Sequence, residues 1–158
     1  MSRDGSQYLN AHVFPGGQIE ACDRGNLRKA ALRELYEEAS IHLLPDSHTT
    51  HPTRVIPQAV TVDTSNTPYS QFLKSASTTT AEENLIPYTR WITPRMMPKR
   101  FDTTFFLALA KTTDAPINGK IDGQEIKSLS WLSPSDALIL FSQGKITLFP
   151  PQWYDSRD

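Results

Sequence analysis

A mixed helix-and-strand domain of the α+β class is what this sequence predicts, on three observations. Residues 27 to 39 are almost all good helix formers, with no proline or glycine among them. Three later segments, Tyr88 to Ile92, Thr103 to Ala110 and Ile126 to Leu132, carry the β-branched and aromatic residues of strands. The chain of 158 residues is one domain's worth and long enough for a modest core, so a single domain over 1–158 is expected.

Taken in order, Ala11-His12-Val13-Phe14 reads as a short strand closed by a Pro15-Gly16-Gly17 turn. Asp23-Arg24-Gly25-Asn26 reads as a loop whose last residue can cap the helix that follows, since an Asn side-chain oxygen accepts from the first orphan N–H groups. Pro45 ends that helical region. From about 44 to 84 the chain is polar and rich in Thr, Ser and Pro, and so long a weakly patterned stretch reads as an insertion. Within it, Val55-Ile56, Val60 and Val62 suggest a strand and Tyr69 to Ala76 a short helix. After the three strand segments, Ser133-Pro134-Ser135-Asp136 has the residues of a helix start, continuing through Ala137 to Ser142 until Gly144 stops it.

Bulk composition excludes more than it identifies. Lys plus Arg is 16 and Asp plus Glu 17, so attraction for an anionic ligand must be local. No P-loop, Rossmann glycine pattern or basic patch is present, and nucleic acid is not an expected partner. No run approaches the roughly 18 apolar residues that cross a bilayer, and the start has no apolar stretch of a secretory signal, so neither membrane nor secretion is expected. An intracellular location is expected, with peroxisome, mitochondrion and cytoplasm undivided. Cys22 is the only cysteine, which excludes an intrachain disulfide and a multi-cysteine zinc cage. The four histidines show no metal-binding helical spacing.

The informative segment is Arg33-Glu34-Leu35-Tyr36-Glu37-Glu38. At 100° per residue, Ala31, Leu32, Leu35, Tyr36 and Ala39 share a sector roughly 140° wide, the core-facing stripe. Glu34, Glu37 and Glu38 gather in an adjacent sector roughly 100° wide, beside the apolar boundary. Three such carboxylates repel one another unless a cation joins them, and hard ions such as Mg²⁺ or Mn²⁺ take oxygen ligands of this kind. The plainer reading is a solvated face with an Arg33–Glu37 pair worth only about 0.3–0.5 kcal/mol.

The flanks change that balance. With Gly16-Gly17 ahead and Arg33-Glu34-Leu35-Tyr36-Glu37-Glu38-Ala39-Ser40-Ile41 at the helix end, the segment resembles the Nudix box, G-x5-E-x7-R-E-U-x-E-E-x-G-U, in which U is a bulky aliphatic residue. Two departures stand out. Ser40 replaces the final glycine, and Gly17 lies two residues farther from Arg33 than the pattern asks. Counting back from Arg33 therefore puts Gly25 where the box has its isolated glutamate, whereas counting forward from Gly17 lands on Asp23, which substitutes if the loop bulges after it. Glu20 fits a glutamate often seen after the glycine pair. In that family the isolated glutamate braces the loop against the arginine, so its loss is expected to weaken the support of the helix more than its ligands.

The resemblance implies a Nudix α/β/α sandwich around a mixed sheet, here lacking its first strand. Glu37 and Glu38 are then metal ligands, Glu34 a further ligand or the base that orients water, and Arg33 the group holding the carboxylates; a backbone carbonyl near Gly17 completes the coordination. His12 to Gly17, Arg90-Trp91-Ile92-Thr93-Pro94, Arg100 to Phe106 and Phe149 to Tyr154 together resemble the eukaryotic branch that includes peroxisomal acyl-coenzyme A diphosphatases and fungal relatives. This implies Mg²⁺- or Mn²⁺-dependent cleavage of coenzyme A or its esters into 3',5'-ADP and a phosphopantetheine product. Substrate-binding candidates are Arg100, with Arg90 second, for a phosphate, and Phe105, Phe106 or Trp91 for stacking on adenine, although strand alternation sends at least one phenylalanine into the core. Pro150-Pro151-Gln152-Trp153 reads as a clasp over the domain end. Glu125 is either a late acidic residue near the metal or a solvated turn carboxylate. Glu82, in the polar stretch, is expected to be remote from the site. A homodimer is compatible with these features. Substrates of the NADH or ADP-ribose type, and a Nudix-fold binding module without turnover, are the alternatives.

Overall fold

The computed structural model describes residues 11–44, 56–64, 67–75, 81–111 and 128–157. Its centre is helix α1, Leu27–Ala39. Asn26 starts it as expected: extended backbone leaves its side-chain oxygen to accept from the N–H groups of Arg28 at 2.9 Å and Lys29 at 3.3 Å. Ser40 ends it in the left-handed conformation, with φ of 54°. Glycine is the usual residue there because it has no Cβ to clash, which is why the serine is a departure from the box. Its hydroxyl shares a 3.0 Å hydrogen bond with that of Thr64.

A short strand β1, Ala11–His12, precedes the helix, and the turn at Ser40 sends the chain directly into strand β2, Ile41–Leu44. Sequence reading misses β2, because its four residues are nearly all buried and show no alternation. It pairs antiparallel with β3, Gln58–Thr61, placing His42 opposite Val60. Helix α2, Tyr69–Ser75, follows where a short helix is expected. The polar stretch thus supplies core elements. Ala59 and Tyr69 are buried with Leu32, Tyr36, Ile41 and Leu43 in one cluster. Ala31 and Leu35 of the expected α1 stripe pack against it. Tyr36 has no exposed surface, and its hydroxyl donates to the Thr67 carbonyl at 3.0 Å. Truncating such a side chain to alanine costs about 3–5 kcal/mol, by analogy with other large aromatics.

Strands β4, Ile86–Ile92, and β5, Asp102–Leu107, form an antiparallel hairpin, irregular between Pro87 and Arg90 where proline lacks the ladder N–H. Phe106 of β5 packs against the α1 core. Helix α3, Pro134–Ser142, begins with Ser133 accepting from the Asp136 N–H at 3.1 Å. Strand β6, Thr147–Leu148, pairs parallel with β1, and helix α4, Pro150–Asp155, closes the described chain. Tyr154 of α4 lies against Trp91 with ring centroids 5.5 Å apart, and Thr89 donates to Asp155 at 3.2 Å, so this end of the chain rests on the hairpin.

The α+β class therefore holds, with strands among the described residues paired in both senses as three two-stranded ladders. One expected strand does not: Ser128 to Leu132 form no ladder. Trp131 and Leu132 are exposed, and Leu129 packs against the core cluster, so apolar composition here contributes packing without a ladder. Ile126, Lys127, Glu125, Val55 and the segment bearing on a first strand, residues 1–10, lie outside the described residues.

Candidate functional site

Arg33 organises the site. Its side chain is only 4% exposed, although guanidinium groups are seldom buried without partners. The partners are present. Nη2 donates to Asp23 Oδ2 at 3.0 Å and to the Gln18 carbonyl at 2.8 Å. Nε lies 3.2 Å and 3.3 Å from the two Asp23 oxygens. Nη1 donates to Glu34 Oε1 at 2.8 Å and to Glu37 Oε2 at 3.0 Å. One planar fork thus joins the loop to two carboxylates of its own helix, a geometry that lysine cannot reproduce.

Asp23 is the residue that closes this arrangement. It ends a 3-10 turn, Ala21–Asp23, where the Glu20 N–H donates to its Oδ2 at 2.8 Å. The next two residues, Arg24 and Gly25, both take positive φ, 51° and 75°. That left-handed pair is the bulge that absorbs the extra spacing and returns the chain to Asn26. The expectation that the brace is lost is therefore corrected: a buried aspartate bonds Arg33 with both oxygens, and the loop comes to meet the shorter side chain. Burial by itself raises the Asp23 pKa, but the hydrogen bonds from Arg33 and Glu20 outweigh it and hold the carboxyl below its ordinary value.

The glycine pair sits against the carboxylates. The Gly16 N–H donates to Glu38 Oε2 at 2.8 Å. A Cβ on Gly17 would collide with Glu34, coming within 2.6 Å of its carboxyl carbon. Glu34 is mostly buried, and burial is the main cause of its raised pKa, offset in part by Arg33. Glu37 is more open, with 42% of its side chain exposed.

The donor chemistry, three carboxylates beside a backbone loop, suits a hard divalent cation. In the arrangement described, Glu34 and Glu37 turn toward Arg33 while Glu38 turns toward Gly16. Among the described residues, no three His, Cys, Asp or Glu side chains already surround a common point. Glu34 and Glu37 each meet the guanidinium through one oxygen, so the second oxygen of each can serve a cation while Arg33 keeps its hold.

The outlying candidates divide. Phe105 meets Phe14 edge-on, with centroids 6.1 Å apart, and Phe14 is two residues from Gly16, so this pair adjoins the glycine loop. Phe106 takes the core side, beneath the Arg28 guanidinium, as strand alternation requires. Arg90 is bound through two hydrogen bonds, 2.7 Å and 2.6 Å, to Asp102. Arg100 is exposed and donates to the Thr93 carbonyl of its own hairpin. Two features escape sequence reading. The Gln18 carbonyl carries no side-chain signal. Glu82 is not remote, because it accepts from the Asn26 side chain at 2.9 Å and lies 3.9 Å from Lys29, at the start of α1.

Comparison with known proteins places this geometry in context. The family model described as the NUDT19 Nudix domain matches residues 25–158. The chain is 32% identical over 151 residues to a Caenorhabditis elegans protein named "Putative nudix hydrolase 7", covering 92% of this chain and 49% of that one. It is 26% identical over 145 residues to the Xenopus laevis acyl-coenzyme A diphosphatase NUDT19, covering 81% and 37%. Against the human protein of the same name, identity is 38% over 72 residues, covering 44% and 18%. The chain thus spans about half, or less, of the length of these relatives. No solved structure matches it.

Proposed function

This chain belongs to the Nudix family, in the branch of the NUDT19 Nudix domain, and from that premise we propose that it hydrolyses a diphosphate linkage in coenzyme A or an acyl-coenzyme A. The observation that carries the reading is the Arg33 fork, which holds Glu34 and Glu37 on one helix end, with the Glu34 carboxylate set against the space a Gly17 Cβ would take. The names of the NUDT19 relatives, acyl-coenzyme A diphosphatases, support the substrate class.

Glu34, Glu37 and Glu38, with a backbone carbonyl near Gly17, would hold Mg²⁺ or Mn²⁺. A bound divalent ion supplies neutralisation of the diphosphate oxygens and lowers the pKa of a bound water. Arg33 keeps Glu34 and Glu37 oriented, and Asp23 keeps Arg33 in place. Glu34, whose burial makes it more basic than an ordinary carboxylate, orients the attacking water and accepts its proton. The water oxygen joins one phosphorus while the bridging oxygen leaves with the other. Products are 3',5'-ADP and a phosphopantetheine or its acyl ester. Phe105 and Phe14 offer aromatic faces to the adenine, and Arg100 a cation to a phosphate.

The test is incubation of the purified chain with Mg²⁺ or Mn²⁺ and, separately, coenzyme A esters, NADH and ADP-ribose, with products resolved by chromatography. Formation of 3',5'-ADP from the coenzyme A substrates, abolished in Glu37→Gln and Glu38→Gln, is the expected result. Turnover of only NADH or ADP-ribose would move the substrate class, and metal-dependent binding without product would make the chain a binding module. Glu83→Gln, at an exposed position, is the control in place of Glu82.

A further inference from the structure

Arg100 apart, the loop joining β4 to β5 has a composition the diphosphatase reading does not use. Residues 93–101, Thr-Pro-Arg-Met-Met-Pro-Lys-Arg-Phe, contain three cations and no acid. Met96 is 89% exposed and Met97 50%, although methionine is ordinarily a core-filling side chain. Phe101 is exposed beside them, with the Lys99 ammonium over its ring at 5.1 Å. The nearest acid in the hairpin, Asp102, is already neutralised by Arg90 at 2.6 Å.

This tip has a defined shape. The Thr93 N–H donates to the Phe101 carbonyl at 2.9 Å, and the Phe101 N–H returns a bond to the Thr93 hydroxyl at 3.0 Å. Arg100 donates to the Thr93 carbonyl at 3.0 Å, and Met97 N–H to the Pro94 carbonyl at 3.1 Å. A closed loop therefore presents two methionines outward among Arg95, Lys99 and Arg100. Small-molecule sites are concave and enclose most of the ligand. Met96, almost wholly exposed, encloses nothing. A flat partner that is apolar beneath a layer of negative charge matches a projecting apolar tip ringed by cations, because the methionines enter the apolar layer while the long basic side chains remain with the anions.

We propose that the 93–101 loop docks the domain on an anionic lipid surface, peripherally and reversibly, with Met96 and Met97 entering the interface and Arg95 and Lys99 meeting the headgroups. No helix among the described residues is long and apolar enough to cross a membrane, and surface docking requires none. The proposal is independent of the chemistry at the acidic helix.

The experiment is flotation of the whole chain with phosphatidylcholine vesicles, with and without about one-third phosphatidylserine, at low and high salt. Binding to the anionic vesicles is expected, falling with salt and with Met96→Ser/Met97→Ser. Removing Arg95 and Lys99 as Gln is expected to weaken binding about fivefold per cation. Since these side chains are exposed, the variants should keep the wild-type circular dichroism and melting temperature, which separates lost docking from lost folding. No flotation of folded wild-type protein with anionic vesicles overturns the proposal. So does equal binding to neutral vesicles, or unchanged binding in the tip variants. A tip variant that alters only the KM for long-chain acyl-coenzyme A, with vesicle binding intact, reassigns the loop to the substrate.

Discussion

Asp23 and Arg33 face each other at 3.0 Å with only 4% of either side chain exposed, ten residues apart on a loop and a helix. Removing one member of such a buried pair strands the other charge, at a cost of about 3–5 kcal/mol. Arg33 retains Glu34 and Glu37, which places Asp23→Ala near the lower end. Urea denaturation should register the loss. Asp23→Asn keeps the shape but not the charge and should fall between wild type and Asp23→Ala. Because the folded-state pKa is depressed, the stabilisation is complete above the ordinary aspartate range and disappears as pH falls through the lower folded value.

Gly17 makes a different prediction, because the atoms facing its absent Cβ belong to the end of the Glu34 side chain. That end can move, so Gly17→Ala should cost under about 1 kcal/mol in a melt. It moves at the expense of the orientation set by Arg33, so kcat for diphosphate hydrolysis should fall at least about tenfold, a small geometric error at the reacting centre being costly. Steady-state kinetics alongside the melt separates the two effects.

Metal addition should be visible without turnover. Carboxylates brought together only by the folded α1 and its loop bind a cation only in the folded state, so saturating Mn²⁺ should raise the melting temperature by mass action. The shift should vanish in the Glu37→Gln/Glu38→Gln variant. An equal shift in that variant would place the metal elsewhere.

His42 sets an acid limit on stability. It is 1% exposed, neither ring nitrogen has a hydrogen-bond partner among the described residues, and burial lowers its pKa. Phe72 and Tyr69 lie against it at centroid distances of 5.0 Å and 6.1 Å. The unfolded chain takes up a proton near pH 6.5, whereas the folded chain resists until lower pH. Stability should therefore be level above about pH 6.5 and decline below it, by at most about 1.4 kcal/mol per pH unit from this group. Urea midpoints at pH 7.5 and 5.5 measure the slope, which His42→Leu should flatten.

These residues also mark what the sequence made legible. Helix α1 was readable because its cap, apolar stripe and acidic sector are all local patterns, and α3 was readable from Ser133 and Pro134 for the same reason. The brace was ambiguous because motif spacing assumes a fixed loop path, and Arg24-Gly25 lengthen that path without moving its end. Strand β2 was hidden because burial on both faces erases alternation. Segment 128–132 erred in the other direction, since apolar composition does not specify a pairing edge. Glu82 reached the cap of α1 through tertiary folding over 56 positions, a distance no local pattern records.

Ser40 has a consequence for tolerance to length change. It is the single residue between a helix with a period of about 3.6 and a strand with a period of 2, and thus fixes the phase between them. One residue added at this joint would advance β2 by one step against β3 and exchange its two faces. His42 would leave its aromatic surroundings while the acidic sequence upstream remained intact letter for letter. The motif can therefore be preserved perfectly in a chain whose core no longer matches it, and point substitutions here should be borne far better than insertions.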